Sequence, residues 1–198
     1  MKRSIIGMLF VSALVLSLGA APVAAQSGMV PGGTILNLIL DNSLDSDTEV
    51  GDVFTATLAE DVLVDGNVRI RRGATVRGMV MDVADAGTLA DPSRKASMRL
   101  RFESIGTNLK VYTISATLVS VHDRVSGLTG EEIRDRDLDA DDRDALLRAL
   151  FRDVSKGAII GSIGDAVAIL APKANEVELE KGTGLRIRLD RDLNVTIT

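Results

Sequence analysis

The chain has 198 residues, no cysteine, no tryptophan, one tyrosine and four phenylalanines, and a formal net charge of −5. Without cysteine it can form neither a disulfide framework nor a lipidated cysteine at its start, so its fold must rest on an apolar core. Its acidic balance and scarcity of aromatic rings exclude nucleic acid as an expected partner, since phosphates need a basic face and bases need stacking platforms.

The N-terminus has the three-part order of a secretion signal. Lys2 and Arg3 precede an apolar run from Ile5 to Leu18, and small residues follow, ending in Val23-Ala24-Ala25. The run is shorter than the ~20 residues of a membrane-spanning helix. An uncleaved anchor is the alternative; Pro22 and the Val-Ala-Ala site favour processing after Ala25. Residues 1–25 are therefore expected to be a signal peptide and 26–198 a single exported domain. About 173 residues would remain, with 21 basic against 28 acidic side chains, enough for one proper core.

From Val30 to Val121 the sequence predicts strands. Runs rich in Val, Ile, Leu and Thr cover Thr34–Leu40, Val53–Leu58, Asp61–Val64, Val68–Ile70, Thr75–Val83, Ala96–Ile105 and Leu109–Val119, with Gly turns between them. Met98, Leu100 and Phe102 alternate with Arg99, Arg101 and Glu103, the pattern of a strand with one face in a core. Beyond Ser126 a dense mixture of Asp, Glu and Arg leads into apolar residues at helical spacing: Leu146, Leu147, Leu150, Phe151 and Val154. These predict a long helix over about 142–171, ending before Pro172. The last segment, from Glu176, returns to strand, with Leu185, Ile187 and Leu189 alternating with Arg186, Arg188 and Asp190.

The two ends of this domain repeat each other. Residues 30–44 lie without gaps on residues 179–193, matching Gly33 with Gly182, Thr34 with Thr183, Leu36 with Leu185, Leu40 with Leu189 and Asp41 with Asp190. Each copy is a glycine-enabled turn feeding an alternating strand. The expected fold is mainly β, a distorted antiparallel barrel or sandwich, in which pairing of the termini could close an edge and one long helical insertion precedes the last strand.

Three groups of residues carry candidate chemistry. His122, the only histidine, stands beside Asp123 and near Ser120 and Ser126, but no nucleophile-elbow sequence surrounds either serine; an exposed strand-end histidine is expected, and no catalytic residue is assigned. One imidazole without thiolates makes no zinc site, and no metal or other cofactor is expected. Asp135, Asp137, Asp139 and Asp141 alternate like the start of a calcium loop. Ala140 then stands where glycine is wanted and Leu146 where a bidentate glutamate is wanted, so the weak cation reading competes with a solvated segment at a helix start. Gly157, Gly161 and Gly164, with Ile160, Ile163 and Val167 around them, would let two helices approach closely. That predicts helix pairing or an oligomer contact, with membrane contact through a helix near 157–171 as a further possibility and a buried core helix as the plain one.

The stretch from Val30 resembles the C-terminal β-barrel domain of the TrbI-like channel proteins of type IV secretion and conjugation systems. The motifs are Val30-Pro31-Gly32-Gly33-Thr34, Ser46-Asp47 with Gly51, Ile70-Arg71-Arg72-Gly73 with Gly78, and Arg191-Asp192-Leu193 after the predicted helix. The pattern departs at Arg71, where the family has a turn proline, at Asp165 within the insertion, and in going from signal to barrel without an anchor and proline-rich linker. The resemblance implies a barrel and a location in the periplasm or at the outer membrane; it does not imply transport. The expected function is a non-enzymatic envelope assembly or scaffold module that binds itself or a protein partner. The alternatives are a periplasmic protein binding a cation or small ligand and, third, an envelope hydrolase.

Overall fold

The structure is a computed structural model and describes residues 26–45, 47–84, 96–107, 110–122, 130–131, 139–152, 159–163, 166–170 and 177–197. Residues 1–25, Ser46, Asp135, Asp137, Val154, Gly157, Gly164 and Asp165 lie outside them. The central element is an antiparallel sheet. In spatial order it runs β10 (Ile159–Ile163), β11 (Ala166–Leu170), β7 (Ser97–Gly106), β6 (Thr75–Ala84), β3 (Val53–Leu58), β2 (Ile35–Leu40), β12 (Gly184–Leu189) and β9 (Ala116–His122), with β8 (Val111–Thr113) added to β7. It curls into a half-barrel, and β9 at one end lies close to β7, β10 and β11 at the other. Two small antiparallel pairs complete the β structure: β4 (Val62–Val64) with β5 (Asn67–Ile70), and β1 (Gln26–Val30) with β13 (Leu193–Ile197). The described ends of the domain thus pair with each other.

Alternation sorts the side chains. Leu36, Leu38 and Leu40 of β2, Met98, Leu100 and Phe102 of β7, and Leu185, Ile187 and Leu189 of β12 are all buried in one core. Each such side chain contributes ~1.5–3 kcal/mol by leaving water. The two core rings, Phe54 and Phe102, meet edge to face with centroids 5.6 Å apart. Between them on β6 lies Gly78, paired with Phe54 on one side and Phe102 on the other. A Cβ at Gly78 would collide with the Phe54 ring and stand 2.5 Å from the Arg101 carbonyl oxygen, so the aromatic pair requires glycine there.

The sequence repeat is a structural one. In the alignment each residue of the first copy matches the residue 149 positions later, and the two copies form the β2–β12 ladder, Leu38 opposite Leu185 and Leu36 opposite Ile187. Asn37 and Arg186 are both aligned and paired, so a local two-fold passes between them. The same relation carries the Val30–Leu193 pair onto the Leu179–Leu44 bridge. It carries the bond from Gly33 N to Leu189 O (2.6 Å) onto that from Gly182 N to Leu40 O (2.8 Å). Gly33 and Gly182 have φ of 88° and 94°, a left-handed conformation that explains the glycine in both turns.

The symmetry extends beyond the aligned segments. Asp41 N donates to Thr55 O and Asp190 N to Ser115 O, both at 2.9 Å. The Asp41 carboxylate accepts from Thr57 Oγ1 at 2.8 Å, and that of Asp190 from Thr117 Oγ1 at 2.8 Å. Ala56-Thr57-Leu58 of β3 and Ala116-Thr117-Leu118 of β9 are the same tripeptide in equivalent places beside β2 and β12.

The long helix over 142–171 is corrected. The described helix, α1, is Ala140–Arg152, and residues 159–170 supply the strands β10 and β11 of an antiparallel hairpin, Ile160 opposite Ile169 and Ile163 opposite Ala166. β-Branched residues at Ile159, Ile160, Ile163, Val167 and Ile169 favour a pleated strand, and glycine at 161 and 164 weakens a helix by ~1 kcal/mol each. Ile160, Gly161 and Ile163 therefore lie on β10 and Val167 on β11, with no helix there to carry the expected helix contact or membrane contact. Among the described residues no helix is long and apolar enough to cross a membrane.

Candidate docking cleft beside the helix

α1 begins with the motif expected of a helix start. Asp139 Oδ1 accepts from the N–H of Asp141 at 3.4 Å, and Asp141 and Asp142 occupy the first turn, where carboxylates offset the partial positive charge of the helix N-terminus. These are structural roles for the two described members of the alternating aspartate series. Leu147 is buried with Ile39 and Ala59 in a small second core, against which Leu146 and Phe151 also pack. Ile39 lies on the β2 face opposite Leu38 and Leu40. Its counterpart in the repeat is Arg188, which is exposed, so the helix covers the apolar half of a symmetric surface.

A polar chain ties the end of α1 to the sheet. Arg186 Nε donates to Asn37 Oδ1 at 3.0 Å, and Arg186 Nη2 donates to the Phe151 carbonyl oxygen at 3.3 Å, one of the acceptors a helix leaves open in its last turn. The guanidinium carbon lies 5.7 Å from the centroid of the Phe151 ring. Asn37 Nδ2 in turn donates to Glu60 Oε1 at 2.5 Å. The Phe151 ring also meets the His122 ring in a T-shaped contact, centroids 5.3 Å apart.

His122 is not the exposed residue expected from the sequence; it is 2% exposed. It is buried by packing on Phe151 of α1, on the side of the sheet that a bulge in β9 selects. Leu118 pairs with Ile187 and Ser120 with Arg186, which leaves Val119 as an extra residue, 42% exposed. The extra residue shifts the alternation, so that Ser120 and His122 both face α1. Ser120 Oγ and His122 Nε2 share a hydrogen bond of 2.8 Å. The histidine thus holds Phe151 and Ser120 in place at the foot of the helix, a packing role that sequence reasoning missed.

Between α1 and the sheet an open cleft of about 870 Å³ remains. Asn37 and Glu60 line it from the sheet side. Asp144, Leu147, Arg148 and Phe151 line it from the helix, with Ala145 and Ala149 between them. An apolar floor with a few oriented polar groups at the rim suits binding of another molecule. Of the residues named from the sequence, Asp139 and Asp141 lie at the start of α1, Ile160, Gly161, Ile163 and Val167 in the β10–β11 hairpin, and Gly157, Gly164, Asp135 and Asp137 outside the described residues.

No family model matches the chain, and no curated protein does. Among solved structures it is similar to ComB10 of the Com type IV secretion system of Helicobacter pylori, with 11% sequence identity and a TM-score of 0.42 over 83% of this chain and 88% of that one. A likeness of that degree assigns neither a family nor a function.

Proposed function

We propose that the chain is a non-enzymatic assembly or scaffold module of the cell envelope, exported by its N-terminal signal and acting by docking a protein partner or a second copy on a preformed surface. The observation that carries the reading is what the polar groups of the site are used for. His122, Ser120, Asn37 and Arg186 hold α1 against the sheet, and Asp41 and Asp190 tie their turns to the neighbouring strands. They build a rigid support with an open, charged-rim cleft on its outer face. The signal-like residues 1–25 support export, and the motifs from Val30 to Thr34 and from Ile70 to Gly73 support an envelope barrel.

The test is to fractionate cells expressing the tagged chain into cytosol, periplasm, inner and outer membrane and to sequence the N-terminus of the recovered protein. Recovery outside the cytosol with Gln26 first is the expected result. A cytosolic protein that keeps Lys2 and Arg3 would remove the envelope reading.

A further inference from the structure

We propose that the Tyr112 hydroxyl closes the outer edge of β13 against strand pairing with a second copy of this chain. Among the described residues β13 pairs with β1 alone, so the ribbon has two strands and an edge on the far side of β13. Backbone groups along an antiparallel strand turn alternately to its two sides, and an uncovered edge offers its row of N–H and C=O groups to any other chain. The sequence of β13, Leu-Asn-Val-Thr-Ile, favours such pairing through its β-branched residues. Leu193 and Val195 are buried in the core, which holds the strand in place and its edge in order.

Tyr112 takes from that edge what a neighbouring strand would take. Its hydroxyl accepts from the Thr196 N–H at 3.1 Å and donates to the Thr196 carbonyl oxygen at a longer 3.4 Å. Both main-chain groups of one edge residue thus go to a single side-chain atom. Thr196 stands opposite Ser27 in the ladder, and its own groups turn away from β1; by alternation those of Asn194 turn to the same edge. The ring that carries the hydroxyl is anchored. Tyr112 pairs with Ile105 in the β7–β8 ladder, and between the exposed Val111 and Thr113 it packs against the core. It stands where a strand added to β13 would have to run. Without the hydroxyl, two copies would pair β13 with β13 about a two-fold axis, each supplying the other's missing neighbour.

The proposal goes beyond the assembly reading, since every variant is compared with the wild-type particle whatever its size. The first measurement is hydrogen exchange of the wild-type chain, read residue by residue by NMR. The Thr196 amide should be protected, and an unprotected amide overturns the proposal. Tyr112→Phe then keeps the ring and removes the hydroxyl. Sedimentation across a dilution series should show self-association tightened at least about tenfold over wild type. The Thr196 amide of this variant should exchange freely when dilute and become protected again in the associated form. Adding Thr196→Pro removes the amide that a second strand needs while leaving the bonds to β1, and should restore the wild-type mass. A Tyr112→Phe chain with the wild-type mass at every concentration contradicts the proposal, and so does association that survives Thr196→Pro. Circular dichroism reports the fold of each variant; a Tyr112→Phe chain that does not fold makes the hydroxyl a structural tie and overturns its role as a guard.

Discussion

Arg186 donates from Nε to Asn37 Oδ1 at 3.0 Å at the one position where the repeat pairs with itself, so the two residues are at once counterparts and partners. They differ in type, and the difference points the site in two directions: Asn37 reaches Glu60 at the cleft, and Arg186 reaches the last turn of α1. Replacing Arg186 by Met keeps the length of the side chain and removes its hydrogen bonds and its cation–π contact. A loss of about 2 kcal/mol is expected, concentrated in the helix. Hydrogen exchange should show the α1 amides opening faster while the β2–β12 ladder stays protected; uniform acceleration across both would contradict the assigned role.

Gly78 lies on the strand between those that carry Phe54 and Phe102, whose rings meet edge to face. Gly78→Val should cost about 3 kcal/mol or prevent folding, because the added side chain enters space that the Phe54 ring fills. The double variant with Phe54→Leu should recover part of that loss. Urea denaturation of both variants checks the sign of the coupling.

The two symmetric turns offer a matched pair. Gly33→Ala and Gly182→Ala each place a Cβ on a residue with φ near 90°, and each should lose about 1 kcal/mol or somewhat more. Similar losses, adding in the double variant, are the expected result of chemical denaturation.

The symmetric aspartates should respond unequally. Thr57 is fully buried and donates to Asp41, and the Gly130 backbone packs directly on the Asp41 carboxylate. Asp190 is exposed, with Ser115 and Thr117 as donors. Asp41→Ala removes an acceptor from a buried hydroxyl and should cost about 2 kcal/mol, while Asp190→Ala should cost under about 1 kcal/mol. Thermal denaturation of the two variants side by side measures the difference.

His122→Ala should release Phe151 and weaken the seat of α1. Far-ultraviolet circular dichroism should report lost helix at temperatures where the strands persist, and limited proteolysis should cut first near residues 140–152. If a hydrolytic activity is found, its full retention in this variant excludes the histidine from the chemistry.

Much of the sheet was legible because its signal is local. Met98, Leu100 and Phe102 or Leu185, Ile187 and Leu189 announce a buried face by alternation alone, and the match of Gly33 with Gly182 announced a shared turn. The hairpin is hidden in the sequence because glycines three and four residues apart among Ile and Val fit both a close-packed helix and two short strands. The sequence signal that favours strands is the β-branched residues at Ile159, Ile160, Ile163, Val167 and Ile169. The cleft was not legible, since it depends on long-range geometry. Nothing in the alternation of β2 says that Ile39 will be covered while its counterpart Arg188 is not. The side of the sheet on which His122 is buried depends on one extra residue, Val119, whose effect appears only once β9 is paired with β12.

Assembly in the envelope is tested most directly by the mass of the particle that contains the chain, measured by native mass spectrometry after gentle extraction from fractionated cells. A particle heavier than the single processed chain, containing further copies or a distinct partner protein, is the predicted result. A soluble monomer of the processed chain as the only species would contradict it.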